Sequence, residues 1–542
     1  MSTTSSSVKN TGLAVMTALR GYGVDTIFGI PGTHNLELYR HLPELGIHPV
    51  TTRHEQGAGY AADGWAQQTG LPGVVVTTSG PGLLNALSAA ATAYCESRPM
   101  IVLSPGPALG QEGADRGTLH ETKDTSGAAA AVMQWSRRVA SAEEAVAAVH
   151  DAFELFRTSR PRPVHIEIPL DVLEAEADLP AELLAARPAP APALADADSI
   201  AAAVEALSAA SDVVVLAGGG SLRAGDAVRR LVELLDAPVV TTLNGKAAVP
   251  ESHPLSLGAD IRTPAAQKVC SGADVLLVLG SKVGEAELWG GLVEPAGTVV
   301  RIDVLDGQMD ANLSADVRLV GDSAAVVPQL VAALEQAGVA GRGRGAAGAA
   351  ALREEVRAQA AETAPPLVAL TTELVAGMPA DTIVAGDSSQ ITYFGTSSIA
   401  QDRPHSFLYM PAYATLGYGL PAAIGAKVAA PERPVVCVAG DGALMFAIQE
   451  LATAVEQRLD LVVVCVDNGG YAEIKQNEAD RGIAPIGVDL HQPDWAALGV
   501  AFGGHGTRVA AAADLAPAVR DAITAGGVHV VHVPLGIFGP VA

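Results

Sequence analysis

Short apolar runs alternate along this chain with longer stretches rich in Ala and Leu. The runs are continuous rather than alternating: Val74-Val75-Val76, Val213-Val214-Val215-Leu216 and Leu461-Val462-Val463-Val464 carry no polar residue. A strand with one wet face reads apolar and polar by turns, so continuous runs predict strands covered on both sides. Such strands are expected at 74–78, 100–103, 164–168, 213–216, 275–279, 299–302, 383–385, 435–438, 461–466 and 528–533. Helical patterns between them, including an Ala-rich stretch at 346–361, predict an α/β class built from doubly wound parallel sheets.

Two breaks in composition divide the pattern. Arg187-Pro188-Ala189-Pro190-Ala191-Pro192 reads as a stiff linker, and Gly341-Arg342-Gly343-Arg344-Gly345 as a flexible one. They predict three domains, at 1–186, 195–340 and 350–542. No short internal repeat is visible. Apolar residues make up 49% of the 542 positions and charged residues 17%, enough to fill large cores. A net charge of −25 argues against a nucleic-acid or anionic-membrane surface. Cys95, Cys270, Cys437 and Cys465 form no CxxC, which removes the usual zinc and redox signals. Cys437 and Cys465 sit inside apolar runs and read as core residues. Residues 1–10 are polar and no run is long enough to span a membrane, so a cytoplasmic protein is expected.

Candidate chemistry starts with Gly440-Asp441-Gly442, followed 26 positions after Gly442 by Asn468 and then Gly469-Gly470. A buried run leads into each segment, so a carboxylate, an amide oxygen and a flexible carbonyl lie at two strand ends. Hard oxygen ligands of this kind suit a Mg²⁺ that also holds a phosphate. An ordinary strand-end turn is the alternative, since Asp-Gly is common there. Two further segments stand out. Glu55, in Arg53-His54-Glu55, is followed by small residues that let a helix pack closely. By itself it also reads as an acidic helix start favoured by the helix dipole. Thr78-Ser79-Gly80-Pro81-Gly82-Leu83-Leu84-Asn85 makes a tight strand-to-helix junction, either passing backbone near a ligand or merely turning.

Taken together, Phe28-Gly29-Ile30-Pro31-Gly32, Arg53-His54-Glu55, Ser79 to Asn85, Gly417-Tyr418-Gly419-Leu420-Pro421, Gly440-Asp441-Gly442 and Asn468 resemble the thiamine-diphosphate enzymes of the acetolactate synthase and 2-oxo acid decarboxylase superfamily. The resemblance runs over essentially the whole chain. It implies pyrimidine-binding, central and diphosphate-binding domains. It implies Mg²⁺ held by Asp441, Asn468 and the Gly470 carbonyl. Cofactor contacts are implied from Glu55, Gly80, Asn85, Gln390, Leu416, Gly440, Gly442, Ala443, Asn468 and Tyr471. Glu55 would hydrogen-bond the aminopyrimidine, and Leu416 would support the bent cofactor. The reaction implied is decarboxylation of a 2-oxo acid through a C2 carbanion and an enamine. Asp467 and Gly469 depart from the family, where Asn and Asp are common.

No His-His pair occurs, which sets the chain apart from pyruvate and indolepyruvate decarboxylases. Segments 31–40, 113–124 and 482–490 look most like the 5-guanidino-2-oxopentanoate decarboxylases. His34 and His120 are then candidates for proton transfer near C2, or each bonds only local backbone. Gln111 and Gln390 are candidates for orienting groups. A guanidinium-bearing substrate would want a carboxylate, with Glu473, Glu478 and Asp480 available. Ala217-Gly218-Gly219-Gly220-Ser221 resembles a dinucleotide fingerprint, but Arg223 replaces its third glycine, so FAD is not favoured. A homo-oligomer, dimer or tetramer, with sites between subunits is implied. An acetolactate synthase-type carboligase is the alternative reaction, and a non-catalytic nucleotide-binding relative is a third reading.

Overall fold

In the computed structural model, which describes residues 9–341 and 345–539, the continuous apolar runs are inner strands of three six-stranded sheets. The first contains β1 (Thr26–Gly29), β2 (His48–Thr51), β3 (Gly73–Val76), β4 (Met100–Gly106), β5 (Trp135–Arg138) and β6 (Val164–Pro169), ordered β2-β1-β3-β4-β6-β5. The second contains β7 (Val213–Ala217), β8 (Val239–Thr241), β9 (Ser256–Gly258), β10 (Val275–Leu279), β11 (Thr298–Asp303) and β12 (Val317–Val320), ordered β12-β11-β10-β7-β8-β9. The third contains β13 (Ile383–Gly386), β14 (Phe407–Leu408), β15 (Val435–Gly440), β16 (Leu461–Asp467), β17 (His505–Arg508) and β18 (Val528–Pro534), ordered β14-β13-β15-β16-β18-β17.

The pairings in all three sheets are parallel. The first and third sheets share one winding order although no short sequence repeat announces it. The second follows the 3-2-1-4-5-6 order of dinucleotide-binding folds. Its glycine loop has a packing reason, because a side chain on Gly218 would lie 2.4 Å from the Gly280 carbonyl oxygen.

The chain divides into two compact units. One is Met1–Pro190 with Leu420–Glu432 and Ala447–Leu459, and holds the first sheet. The other is Ala191–Gly419 with Arg433–Phe446 and Asp460–Ala542, and holds the second and third. The Pro-Ala segment at 187–192 is irregular and exposed throughout. The Gly-Arg linker falls partly on residues 342–344, outside the described residues. The Ala-rich pattern at 346–361 lies within the helix Gly345–Thr363.

Each expected strand is present, but the edge strands β2, β5, β9, β12, β14 and β17 were not anticipated, nor were the short inner strands β1 and β8. The reason is local. Edge strands such as Trp135-Ser136-Arg137-Arg138 and His505-Gly506-Thr507-Arg508 face solvent and carry polar residues. Cys270, Cys437 and Cys465 are buried, and burial pushes their thiols up. Among the described residues no helix is long and apolar enough to cross a membrane.

His165 on β6 is fully buried, with Ser104 Oγ 2.8 Å from Nε2 and Ser136 Oγ 2.7 Å from Nδ1. Burial lowers it from 6.5 to about 3. Below pH 6.5 the unfolded chain takes up a proton that the folded chain refuses, so stability falls as the pH drops from 6.5 toward 3. The slope is about 1.4 kcal/mol per pH unit for this one group. Urea titrations at pH 7 and pH 5 should show a loss for the parent protein that is about 2 kcal/mol larger than for His165→Gln. Equal losses would contradict the buried neutral state.

Candidate active site

Two clusters of polar residues lie at strand ends, one inside each compact unit. In the third sheet the chain proceeds from β13 outward to β14 on one side and returns to β15 on the other. Ligands of open parallel sheets bind at such a switch point, beyond the carboxyl ends of the strands. Gly440 closes β15, and Asp441 opens the short helix Asp441–Leu444. Asp441 is buried, and its Oδ2 has no hydrogen-bond partner among the described residues. Asn468 follows β16. Its side-chain oxygen lies 3.0 Å from Asp441 Oδ1 and 3.1 Å from the Gly470 carbonyl oxygen.

Three oxygens this close, with no proton among them, repel unless a cation sits between them or the amide turns over to present its NH₂. Mg²⁺ binds octahedrally at about 2.0–2.1 Å, which sets neighbouring ligand oxygens about 2.9–3.0 Å apart; octahedral Ca²⁺ would need about 3.3 Å or more. Separations of 3.0 and 3.1 Å suit adjacent ligands of a small cation and equally the N–H···O bonds of a turned amide. The Asp441 carboxyl is pushed up to about 6, first by burial and then by the nearby charge of Asp467, with the N–H groups of Asn468 and Gly442 opposing. A bound dication would remove both penalties. Among the described residues no cluster of three or more His, Cys, Asp or Glu could hold a metal, so this mixed set of one carboxylate and two neutral oxygens differs in kind.

The surrounding chain aims these atoms. Gly470 has φ +142°, and a side chain there would lie 2.1 Å from the Val488 carbonyl oxygen. Tyr471 N donates to that same carbonyl at 2.9 Å, and Leu490 N donates to the Gly469 carbonyl at 3.0 Å. Segment 488–490 thus clamps the loop that carries the Gly470 carbonyl. Asp467, the departure from the family pattern, is occupied elsewhere: Oδ1 accepts from Gly469 N at 3.1 Å and Oδ2 lies 2.9 Å from His532 Nε2.

Gln390 opens the helix Gln390–Ser398. Its Oε1 accepts from Asn468 Nδ2 at 3.5 Å, and its Nε2 donates to Glu473 Oε2 at 3.2 Å. Glu478 instead accepts from Ile486 N, and Asp480 from Gln476, so Glu473 is the one of those three carboxylates tied through Gln390 to Asn468. Gly442 and Ala443 are buried, and the half-buried Tyr471 ring passes over Gly442.

Asp387 was not singled out in the sequence, yet it organises the neighbourhood of Leu416. It is fully buried; Oδ1 accepts from Ser388 N at 2.8 Å and Gly417 N at 3.0 Å, and Oδ2 from Gly419 N at 2.8 Å. Burial pushes its carboxyl up to about 6 against these N–H groups. The half-buried Leu416 hangs from this anchored turn. An acid placed directly after an apolar strand was the available signal.

In the first unit the switch point falls between β1 and β3. Glu55 opens the helix Glu55–Thr69 and is buried, and its Oε2 accepts from Asn85 Nδ2 at 3.0 Å. The unanticipated Glu450 fixes the helix start: fully buried, it receives Arg53 N at 3.1 Å on each oxygen and Thr453 Oγ1 at 2.6 Å. Tyr39 has a buried hydroxyl without a partner among the described residues; burial and the Glu55 charge push it up.

His34 and His120 are brought together. Their rings meet edge to face at 5.2 Å, and Ser79 Oγ lies 2.6 Å from His34 Nδ1 and 3.2 Å from His120 Nδ1. Gly80 is needed here: it has φ +58°, and a side chain would lie 2.4 Å from the His120 carbonyl oxygen. Glu121 closes the loop before it by accepting from Gly117 N at 2.6 Å and Thr118 N at 3.1 Å. Gln111 is exposed.

Comparison with known proteins matches three segments of the chain. Residues 9–128 match the N-terminal TPP binding domain of thiamine pyrophosphate enzymes, 200–330 their central domain and 387–533 their C-terminal TPP binding domain. The chain is 39% identical over 499 residues to the probable 2-ketoarginine decarboxylase AruI of Pseudomonas aeruginosa, covering 91% of this chain and 88% of that one. It is 31% identical to the acetolactate synthase isozyme 3 large subunit of Escherichia coli, covering 94% and 91%, and 30% identical to isozyme 2, covering 96% and 94%.

Two outcomes test the geometry. Gly470→Ala should weaken Mg²⁺ binding at least about tenfold in titration calorimetry with thiamine diphosphate present, because the carbonyl loses its aim; unchanged affinity would contradict this. Asp387→Ala should cost about 3 kcal/mol in urea unfolding, since several N–H groups lose their acceptor together. A loss under about 1 kcal/mol would show that the anchor is unimportant.

Proposed function

Because the chain belongs to the thiamine pyrophosphate enzyme family, we propose that it decarboxylates a 2-oxo acid whose side chain ends in a guanidinium, using thiamine diphosphate and Mg²⁺. The convergence of Asp441, Asn468 and the Gly470 carbonyl, with oxygens 3.0 and 3.1 Å apart, carries this reading. These three hold the Mg²⁺. Gly440, Gly442, Ala443, Gln390 and Tyr471 border the diphosphate, the small residues letting backbone come close. When bound, the cofactor supplies a nucleophilic ring carbon and a sink for the electron pair left by carbon dioxide.

This chain's own groups do the rest. Glu55 has one oxygen occupied by Asn85 and offers the other to a pyrimidine nitrogen, holding a proton there. Leu416 supports the cofactor from its anchored turn, and Gly80 lets the chain pass close. His34 and His120 exchange protons with the reacting substrate. Glu473, which Gln390 steadies, is the carboxylate that a cationic substrate end would meet. The guanidinium is inferred from the 2-ketoarginine decarboxylase relative. Carboligation is the second reading, favoured by the acetolactate synthase relatives. The protein is further proposed to be a cytoplasmic dimer or homotetramer with sites between subunits, domain limits at 1–186, 195–340 and 350–542, and no FAD.

Purified protein with thiamine diphosphate and Mg²⁺ should release carbon dioxide and 4-guanidinobutanal from 5-guanidino-2-oxopentanoate. Acetolactate from pyruvate, with no aldehyde from the guanidino acid, would favour the carboligase. Glu55→Gln should lower kcat at least about 100-fold while cofactor binding by calorimetry stays within a few-fold. Full activity in that variant would overturn the role of Glu55.

A further inference from the structure

Ser79 is only 5% exposed, and its single hydroxyl touches Nδ1 of both His34 and His120, at 2.6 and 3.2 Å. A hydroxyl owns one proton. It can donate to one Nδ1 and has to accept from the other. A neutral imidazole that donates from Nδ1 is bare at Nε2; one that accepts at Nδ1 carries its proton at Nε2. Two like side chains are thereby held in opposite tautomers. We infer that Ser79 is a positioning residue that makes an acid and base pair of His34 and His120 and relays protons between them.

The inference rests on the proposal that both histidines serve the reacting substrate. The relay balances. One ring gives its Nε2 proton to the substrate-derived carbon, and its Nδ1 takes the Ser79 proton. Ser79 Oγ takes the Nδ1 proton of the other ring, whose Nε2 takes a proton from water. One proton enters and one leaves, the three side chains end uncharged, the hydroxide left by the water balances the proton gained by carbon, and the arrangement returns as its mirror image.

The surroundings favour a neutral His34 ring and hold both rings in place. Burial and then His120 lower the pKa of His34, with Glu174 opposing from the helix Leu170–Glu174. His120 sits at φ +63°, a conformation costly for a side chain of this size, and is wedged against Gly80. The pairing distance is thus imposed by the backbone of residues 79–80 and 116–121 rather than left to side-chain motion.

Ser79→Ala should lower kcat about 10- to 100-fold with KM and cofactor affinity within about threefold. Rates in H₂O/D₂O mixtures should bow for the parent enzyme, as several protons move together, and become linear in the variant. Ser79→Thr should restore both. Solid-state ¹⁵N spectra of the histidine-labelled protein, assigned with His34→Gln and His120→Gln, should show one ring protonated at Nδ1 and the other at Nε2. The same tautomer in both rings, or an Ala variant with parent kcat and a bowed inventory, would overturn the inference. Paired tautomers in a parent protein that decarboxylates no 2-oxo acid would leave the Ser79 pairing standing and sink the decarboxylase reading instead.

Discussion

The Asn468 side-chain oxygen, 3.0 Å from the buried Asp441 carboxylate and 3.1 Å from the Gly470 carbonyl oxygen, is the constraint around which the carboxyl end of the third sheet is organised. Left alone these oxygens repel. A cation between them, or an Asn468 amide turned to present its NH₂, would satisfy them. The rest of the neighbourhood keeps the spacing. β15 and β16 pair in register up to Gly440 and Val466, so Asp441 and Asn468 leave the sheet side by side. Segment 488–490 holds the Gly469 to Tyr471 backbone, and Asp467 is drawn off toward His532. A cation and diphosphate bound here would stabilise this end of the sheet.

The first and third sheets repeat one topology, and each places its polar cluster at the equivalent switch point. The contents differ. The third-sheet cluster is rich in oxygen acceptors and suits a cation. The first-sheet cluster pairs a carboxylate and an amide, Glu55 and Asn85, with two imidazoles and a hydroxyl, and suits proton transfer. One architecture thus carries two different sets of polar groups, after β1, β2, β3 and β4 in the first sheet and after β13, β15 and β16 in the third. The second sheet follows the dinucleotide-binding order, but its glycine loop is used for contact between the ends of β7 and β10.

The longer inner strands were legible because burial on both faces leaves a direct mark on a sequence, and short-range spacing singled out Gly440, Asp441 and Asn468 as candidates. The edge strands were not, since a strand with a solvent face and few residues looks like a loop. Asp387 and Glu450 escaped notice for another reason. Their work is to receive backbone N–H groups from residues distant in the chain; Asp387 is marked only by its place directly after an apolar strand, and no local pattern marks Glu450. His34 and His120 were each visible, whereas their common partner was not: Ser79 lay in a quoted motif, but only the fold brings 34, 79 and 120 together. Of the three acidic residues after the metal loop, helix geometry turned Glu473 alone toward Gln390.

The central claim is that Asp441, Asn468 and the Gly470 carbonyl form a cation site that works with a diphosphate. Crystals grown with thiamine diphosphate and Mn²⁺ in place of Mg²⁺ would test it by anomalous scattering. The expected result is one Mn²⁺ per chain, touching Asp441 Oδ1, Asn468 Oδ1 and the Gly470 carbonyl oxygen. No ion there, with the Asn468 amide turned to donate from nitrogen to the other two oxygens, would contradict it.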